Sequence, residues 1–268
     1  MLAVSPIALM LVLAAAVLHA AWNLKLHDTG DRVAAMSVAG LAACVLLLPF
    51  TLTSPPWRVL PLIALSGLAE AIYGLFLTAA YTRGALAVAY PIGRGTAPLL
   101  VTLGGWLVLA QPPGGLALAG AVALALGLAL IATAGRRAGQ LAAVGFALLT
   151  GVAIATYSLI DAAAVQRVPP LGYLGPVLGV EGLLLAVWLR GDRKRLRGAL
   201  GPGLRIAIGS VAAYGLVLFA FQHAGAGRVA TLREVSVLIG VFLGGGRQGW
   251  RVWAGAALVV LGAVLTTV

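Results

Sequence analysis

The two halves of this 268-residue chain repeat one another at fixed spacing. Ala119-Gly120-Ala121 and Leu126-Gly127 return 135 positions later as Ala254-Gly255-Ala256 and Leu261-Gly262, and Trp22-Asn23-Leu24 returns at the same offset as Tyr157-Ser158-Leu159. Between them, Tyr73-Gly74-Leu75, Gly84-Ala85 and Val88-Ala89 return 141 positions later as Tyr214-Gly215-Leu216, Gly225-Ala226 and Val229-Ala230. Each copy holds five apolar segments of membrane length. An odd number makes the second copy enter a bilayer from the opposite face, which is an inverted repeat.

The segments are read as membrane spans because the chain is 62% hydrophobic and 9% charged, with a mean hydropathy of +1.06. Such a chain has too few polar residues to cover a water-soluble globule. Crossing the hydrocarbon core takes about 20 apolar residues. Charges, turns and Gly-Pro clusters then delimit ten spans at roughly 5–25, 33–53, 59–82, 85–109, 115–134, 141–162, 171–189, 204–224, 228–246 and 250–268. The expected fold is all-α integral membrane: ten transmembrane helices as two inverted five-helix repeats, residues 1–134 and 141–268, joined by 135–140 into one membrane domain.

The net charge of +11 would suggest nucleic acid in a soluble protein. Here Lys and Arg concentrate in short loops, so no nucleic-acid partner is expected. Thirteen of them, among them Lys25, Arg83, Arg136, Arg137, Arg195 and Arg251, follow odd-numbered spans, whereas only Arg58, Arg167 and Arg228 follow even-numbered ones. The positive-inside rule places the odd loops in the cytoplasm and both termini outside. The connector 190–205 reads as a solvated cationic loop. The first span lacks the basic start of a signal peptide and reads as a retained helix. Cys44 has no cysteine to pair with, and no metal site or cofactor is expected.

An ionisable group at mid-membrane costs about 2.5–3.5 kcal/mol on insertion scales, so each one needs a partner, a cavity or a use. The candidates are His19, Glu70, Arg94, Asp161, Glu181, His223, Arg233 and Glu234. Asp161 and His223 fall near span ends, which favours interfacial solvation. Glu234 aligns with Gly93, next to Arg94, so opposite charges occupy nearly equivalent depths of spans four and nine; pairing across the cavity, they either lock the helices together or recognise substrate or proton. Arg233 would face about 100° away from Glu234 on a continuous helix. Glu70 and Glu181 have no acidic counterpart in the other repeat. Tyr73 and Tyr214 are symmetry mates that either line a cavity or pack between helices. Trp22-Asn23 and its mate at Tyr157 read as interfacial aromatics or cavity groups. Pro91 and Pro98 are expected to break or kink span four. Glycines seven apart in spans five and ten favour close packing of these helices within the chain or in a homodimer.

On His19-Ala20-Ala21-Trp22-Asn23 with Lys25, on Gly84–Ile92 with Tyr90 and Pro98, on Leu232-Arg233-Glu234-Val235-Ser236, and on the Gly-x6-Gly helices, the chain resembles the drug/metabolite transporter superfamily, ten-helix EamA type. Relatives commonly end spans four and nine with Leu-Gly-Glu, where this chain has Leu109-Ala110-Gln111 and Gly244-Gly245-Gly246-Arg247. Relatives are often oriented with both termini inside, contrary to the charge count here.

The resemblance implies a secondary active transporter of a small metabolite or drug-like solute in the plasma or bacterial inner membrane. It would work by alternating access around spans one, three, four, six, eight and nine, driven by a solute or proton gradient. The expected substrate-binding residues are Arg94, Glu234, Glu70, Tyr73, Tyr214, Trp22, Asn23, Tyr90, Tyr157 and Arg233. Partners are the small-molecule substrate and membrane lipid, with a monomer or a homodimer through helices five and ten. The alternatives are a translocase of a lipid or lipid-linked sugar and a non-transporting membrane scaffold. No zinc-protease motif, nucleophile elbow or phosphate loop argues for an enzyme.

Overall fold

The computed structural model describes residues 5–84, 86–134, 141–236, 238 and 249–267. Among them every regular element is helical: α1 (Pro6–His27), α2 (Arg32–Leu46), α3 (Leu48–Thr53), a short 3-10 turn (Trp57–Val59), α4 (Leu60–Arg83), α5 (Leu86–Leu109), α6 (Gly115–Ala134), α7 (Leu141–Ala164), α8 (Pro170–Trp188), α9 (Arg193–Gly198), α10 (Leu200–Phe221), α11 (Ala226–Arg233) and α12 (Trp250–Thr267). Seven described stretches are long and apolar enough to cross a membrane; they lie in α1, α4, α5, α6, α7, α8 and α10. The connector 135–140 and most of the second half of span nine lie outside the described residues.

Helix starts follow local chemistry. Ser5 caps α1 by accepting from the Ala8 N–H at 3.1 Å, with Pro6 in the first turn, where a missing N–H costs nothing. Asp31 caps α2 through the Ala34 N–H at 3.1 Å. Its carboxylate also receives Nε and a terminal nitrogen of Arg195 at 2.7 and 3.1 Å, which tethers α9 to the start of α2. That hydrogen-bonded guanidinium holds the Asp31 carboxyl below its ordinary range. The connector after α8 is therefore not the plain loop expected from its charges. Asp192 caps α9 within it, and α10 starts at Leu200 rather than 204.

Three further expectations change. Span two is not one helix: α2 ends at Leu46 and α3 begins at Leu48, because Pro49 cannot donate to the Val45 carbonyl and its ring crowds that turn. Span four runs as one uninterrupted helix from Leu86 to Leu109 in spite of its two prolines, so the expected break is absent. Neighbouring helices offset such lost backbone bonds inside a bundle. In span nine, α11 ends at Arg233 and Glu234 takes a turn conformation.

Outward faces carry bare apolar side chains such as Val45, Leu52, Leu107, Val187 and Trp250, all more than 60% exposed. In water this would be an aggregating surface; against lipid it is the expected one. Inside, α4 packs on α7, α1 on α10, α2 on α8 and α10, α4 on α8, α5 on α7, and α6 on α12. The α6–α12 contact brings backbones together. A Cβ added at Gly120 would lie 2.6 Å from the Gly262 carbonyl oxygen, and one at Gly127 would lie 2.6 Å from that of Gly255. Both helices press backbone against backbone, so neither can yield by turning a rotamer. Gly127→Val is accordingly expected to cost about 1–3 kcal/mol through overpacking. A melting temperature in detergent unchanged from that of the parent protein would contradict this contact.

Candidate functional site

A cavity opens where α1, α2, α4, α7, α8 and α10 converge. Its wall holds His19 and Trp22 from α1, Glu70 and Tyr73 from α4, Tyr157 from α7, Glu181 from α8 and Tyr214 from α10. The unfilled space is about 520 Å³, yet only about 40 Å³ of it admits the centre of a water molecule. The walls must move apart before a solute of any size can enter.

Aromatic rings organise this wall. Tyr73 and Tyr157 meet edge to face with centroids 5.7 Å apart, and Tyr157 meets Tyr214 in the same way at 5.6 Å. All three are buried, so the run links α4, α7 and α10 across the two halves. Trp22 is buried beside the cavity and not in an interfacial belt; its indole N–H donates to His19 Nδ1 at 2.7 Å. Because indole is only a donor, the imidazole is the neutral tautomer with its proton on Nε2. Asn23 is turned away from this wall, donating to the His19 carbonyl at 2.9 Å and accepting from the Tyr81 hydroxyl at 3.3 Å. It joins α1 to α4.

Glu70 and Glu181 are 6% and 5% exposed and both face the cavity. Among the described residues neither makes a hydrogen bond or an ion pair. Span seven therefore contributes to the central wall, as does α2, neither of which was expected there. Their place follows from the packing of α8 on α4 and of α2 on both α8 and α10.

Arg94, Arg233 and Glu234 form a second buried group, off the cavity wall. Arg94 Nε donates to Glu234 Oε2 at 2.9 Å, so the expected pair across spans four and nine forms. Arg233 Nε lies 3.8 Å from Glu234 Oε1, an ion contact too long for a hydrogen bond. Arg233 and Glu234 come into contact in spite of the 100° helical separation, at a turn where the Glu234 N–H donates to the Thr231 carbonyl at 3.2 Å. The side chain of Tyr90 lies outside the described residues.

Asp161 is where sequence reasoning failed. It is fully buried, not interfacial. Its Oδ1 accepts from Ser66 Oγ at 2.5 Å and from the Tyr173 hydroxyl at 2.6 Å, and its Oδ2 accepts from the Tyr214 hydroxyl. Three O–H donors on α4, α8 and α10 converge on one carboxyl of α7, a set that satisfies a buried carboxylate. The signal was present, since Asp161 lies four residues after Tyr157 and shares its helix face. His223, by contrast, is exposed as expected. Gln111, which stands where relatives carry an acid, accepts the Ala226 N–H at 3.0 Å and so caps α11.

The apolar exterior and the seven described helices long and apolar enough to cross a bilayer mark a multi-pass membrane protein. Residues 141–268 match the EamA-like transporter family, which supports the drug/metabolite transporter superfamily and a transporter in place of an enzyme. No curated protein matches the chain. Among the 27 matching chains of solved structures is a crystal structure of a protein with 15% identity and a TM-score of 0.71, covering 97% of this chain and 96% of that one. It is similar in fold over nearly the full length.

Proposed function

We propose that the protein is a secondary active transporter of a small solute, with ten spans in two inverted five-helix repeats that rock around the cavity. The observation that carries this reading is the pattern of helix contacts. Exchanging α1 with α7, α2 with α8 and α4 with α10 turns the α4–α7 contact into α10–α1 and the α2–α10 contact into α8–α4. The α2–α8 and α6–α12 contacts map onto themselves under the same exchange. A two-fold axis of this kind lets the cavity open to either side by the same motion. The repeat-mate pairs Trp22 with Tyr157 and Tyr73 with Tyr214 all stand on its wall.

The narrow cavity, with about 40 Å³ open to the centre of a water molecule, fits a contracted intermediate of alternating access. Glu70, Tyr73, Trp22, Tyr157 and Tyr214 contact the solute in this reading. Arg94, Arg233 and Glu234 hold α5 to α11 next to it, and Asn23 positions α1. The termini lie outside, and the chain acts as a monomer or as a homodimer through the outer faces of α6 and α12.

A thermal-shift screen of metabolites on the purified full chain is expected to yield stabilising solutes that exchange across proteoliposomes in counterflow and respond to an imposed pH gradient. Stabilising solutes without any exchange would reject transport, and movement of labelled lipid between leaflets in their place would reject the small-solute substrate.

A further inference from the structure

We infer that the cavity is a site for an organic cation, held over ring faces by Glu70 and Glu181, and that the cation exchanges there with protons. The inference deepens the transporter reading by naming a substrate class, and for movement across the membrane it rests on that reading.

Charge accounting within the buried interior leads to it. Four carboxyl groups are buried with no more than 6% exposure: Glu70, Asp161, Glu181 and Glu234. Asp161 has three hydroxyl donors, and Glu234 has Arg94 at 2.9 Å with Arg233 beyond it. Glu70 and Glu181 have neither kind of partner among the described residues. Both arginines sit off the cavity wall, and His19 on the wall is neutral in this hydrogen-bond arrangement.

A bare carboxylate in so dry a place is strongly disfavoured. Each of the two groups must therefore carry a proton or lie beside a cation. The neighbours that face Glu70 do not supply one at contact distance. They are His19 on α1, Tyr73 on its own helix, Tyr157 and Asp161 on α7, Glu181 on α8 and Tyr214 on α10, while Arg94 on α5 is paired with Glu234. Arg233 on α11 reaches Glu70 only through space, and Glu181 and Asp161 oppose it. The rest of the wall is uncharged: Ser210, small and aliphatic residues from α2, α8 and α10, and the four rings of Trp22, Tyr73, Tyr157 and Tyr214. Ring faces attract a desolvated cation through their quadrupoles. Two unpartnered carboxyls among four rings in one cavity thus match a cationic organic group.

Proton and cation are alternatives at the same oxygens. When a singly charged cation enters, one carboxyl O–H bond breaks and its proton passes to water on whichever side the cavity is then open, while the other carboxyl keeps its proton. When the cation leaves, one proton returns from that side. Net charge in the interior is conserved, and exchange of cation for proton across the membrane follows from it.

The test uses three probes that share a phenyl ring: benzyltrimethylammonium, phenylalanine and phenylacetate, which are a fixed cation, a zwitterion and an anion. Calorimetric titration of the purified full chain in two buffers of different ionisation enthalpy counts the protons released. Benzyltrimethylammonium is expected to bind with proton release, its affinity rising on the order of tenfold per pH unit for each proton exchanged. Since the charge on this probe is fixed, the pH dependence reports the protein. Glu70→Gln and Glu181→Gln should each lower the proton count. Should either variant fail to fold, the proton count and pH dependence of the parent protein still decide. No binding of benzyltrimethylammonium at millimolar concentration, pH-independent binding, or a preference for phenylacetate or phenylalanine overturns the proposal. Flux in proteoliposomes separates the two readings. Cation binding without flux removes transport and leaves the site, whereas flux of phenylalanine or phenylacetate alone leaves transport and removes the cation site.

Discussion

Arg94→Ala is expected to destabilise the protein by about 3–5 kcal/mol, because it leaves Glu234 as a fully buried carboxylate without its hydrogen-bonded partner. Arg233 does not rescue it. Its Nε is 3.8 Å from Oε1, beyond hydrogen-bond reach. The cost comes from the stranded charge and not from the pair as such. A double variant, Arg94→Met with Glu234→Leu, removes both charges and should therefore regain most of the loss. Reversible unfolding in mixed micelles measures both variants. A single variant as stable as the parent, or a double variant no better than the single, would rule out the assigned pairing.

Asp161→Ala should be the other severe change. It takes the acceptor from Ser66, Tyr173 and Tyr214 at once, and each buried hydroxyl left without a partner costs about 1–3 kcal/mol. Allowing for relaxation and water entry, a loss of roughly 3 kcal/mol or more is expected. Asp161→Asn retains an acceptor oxygen at the same place and should cost less than half of that. Tyr214 has two roles, since its ring lines the cavity while its hydroxyl is held by Asp161. Tyr214→Phe combined with Asp161→Ala should therefore be clearly non-additive. Additive effects in this cycle would mean that the carboxyl and the hydroxyl do not act as one unit.

Membrane character was legible because it is a property of local composition. A stretch such as 115–134 is apolar on every side, and the α6 helix occupies those residues. Most helix starts were legible for the same reason: spans drawn from 59, 85, 115, 141 and 171 match helices that begin at 60, 86, 115, 141 and 170, whereas α9, capped by Asp192, lay in a segment read as a loop. The Arg94–Glu234 pair could be anticipated from repeat alignment, since the alignment equates depths. Pro49 also carried a local signal, and it was the length of the apolar run around it that hid the break between α2 and α3.

What could not be read locally depended on which helix lies beside which. Asp161 looks interfacial in sequence because Arg167 and two prolines follow closely. Only the meeting of α4, α8 and α10 around α7 surrounds it with hydroxyls. Glu181 was assigned to a peripheral span, and the packing of α8 against α4 turns it into the cavity beside Glu70. Helical spacing turns Arg233 away from Glu234, and the turn at Glu234 brings the two within 3.8 Å.

The sequence by itself determined that the chain is a helical membrane protein and where most helices begin, because hydropathy and turn signals act over a few residues. The tertiary structure alone decided which buried charges are neutralised and which are left facing a cavity. Electrostatic pairing depends on distances of about 3 Å between atoms on different helices, and nothing in the linear spacing of Glu70, Asp161, Glu181 and Glu234 encodes those distances.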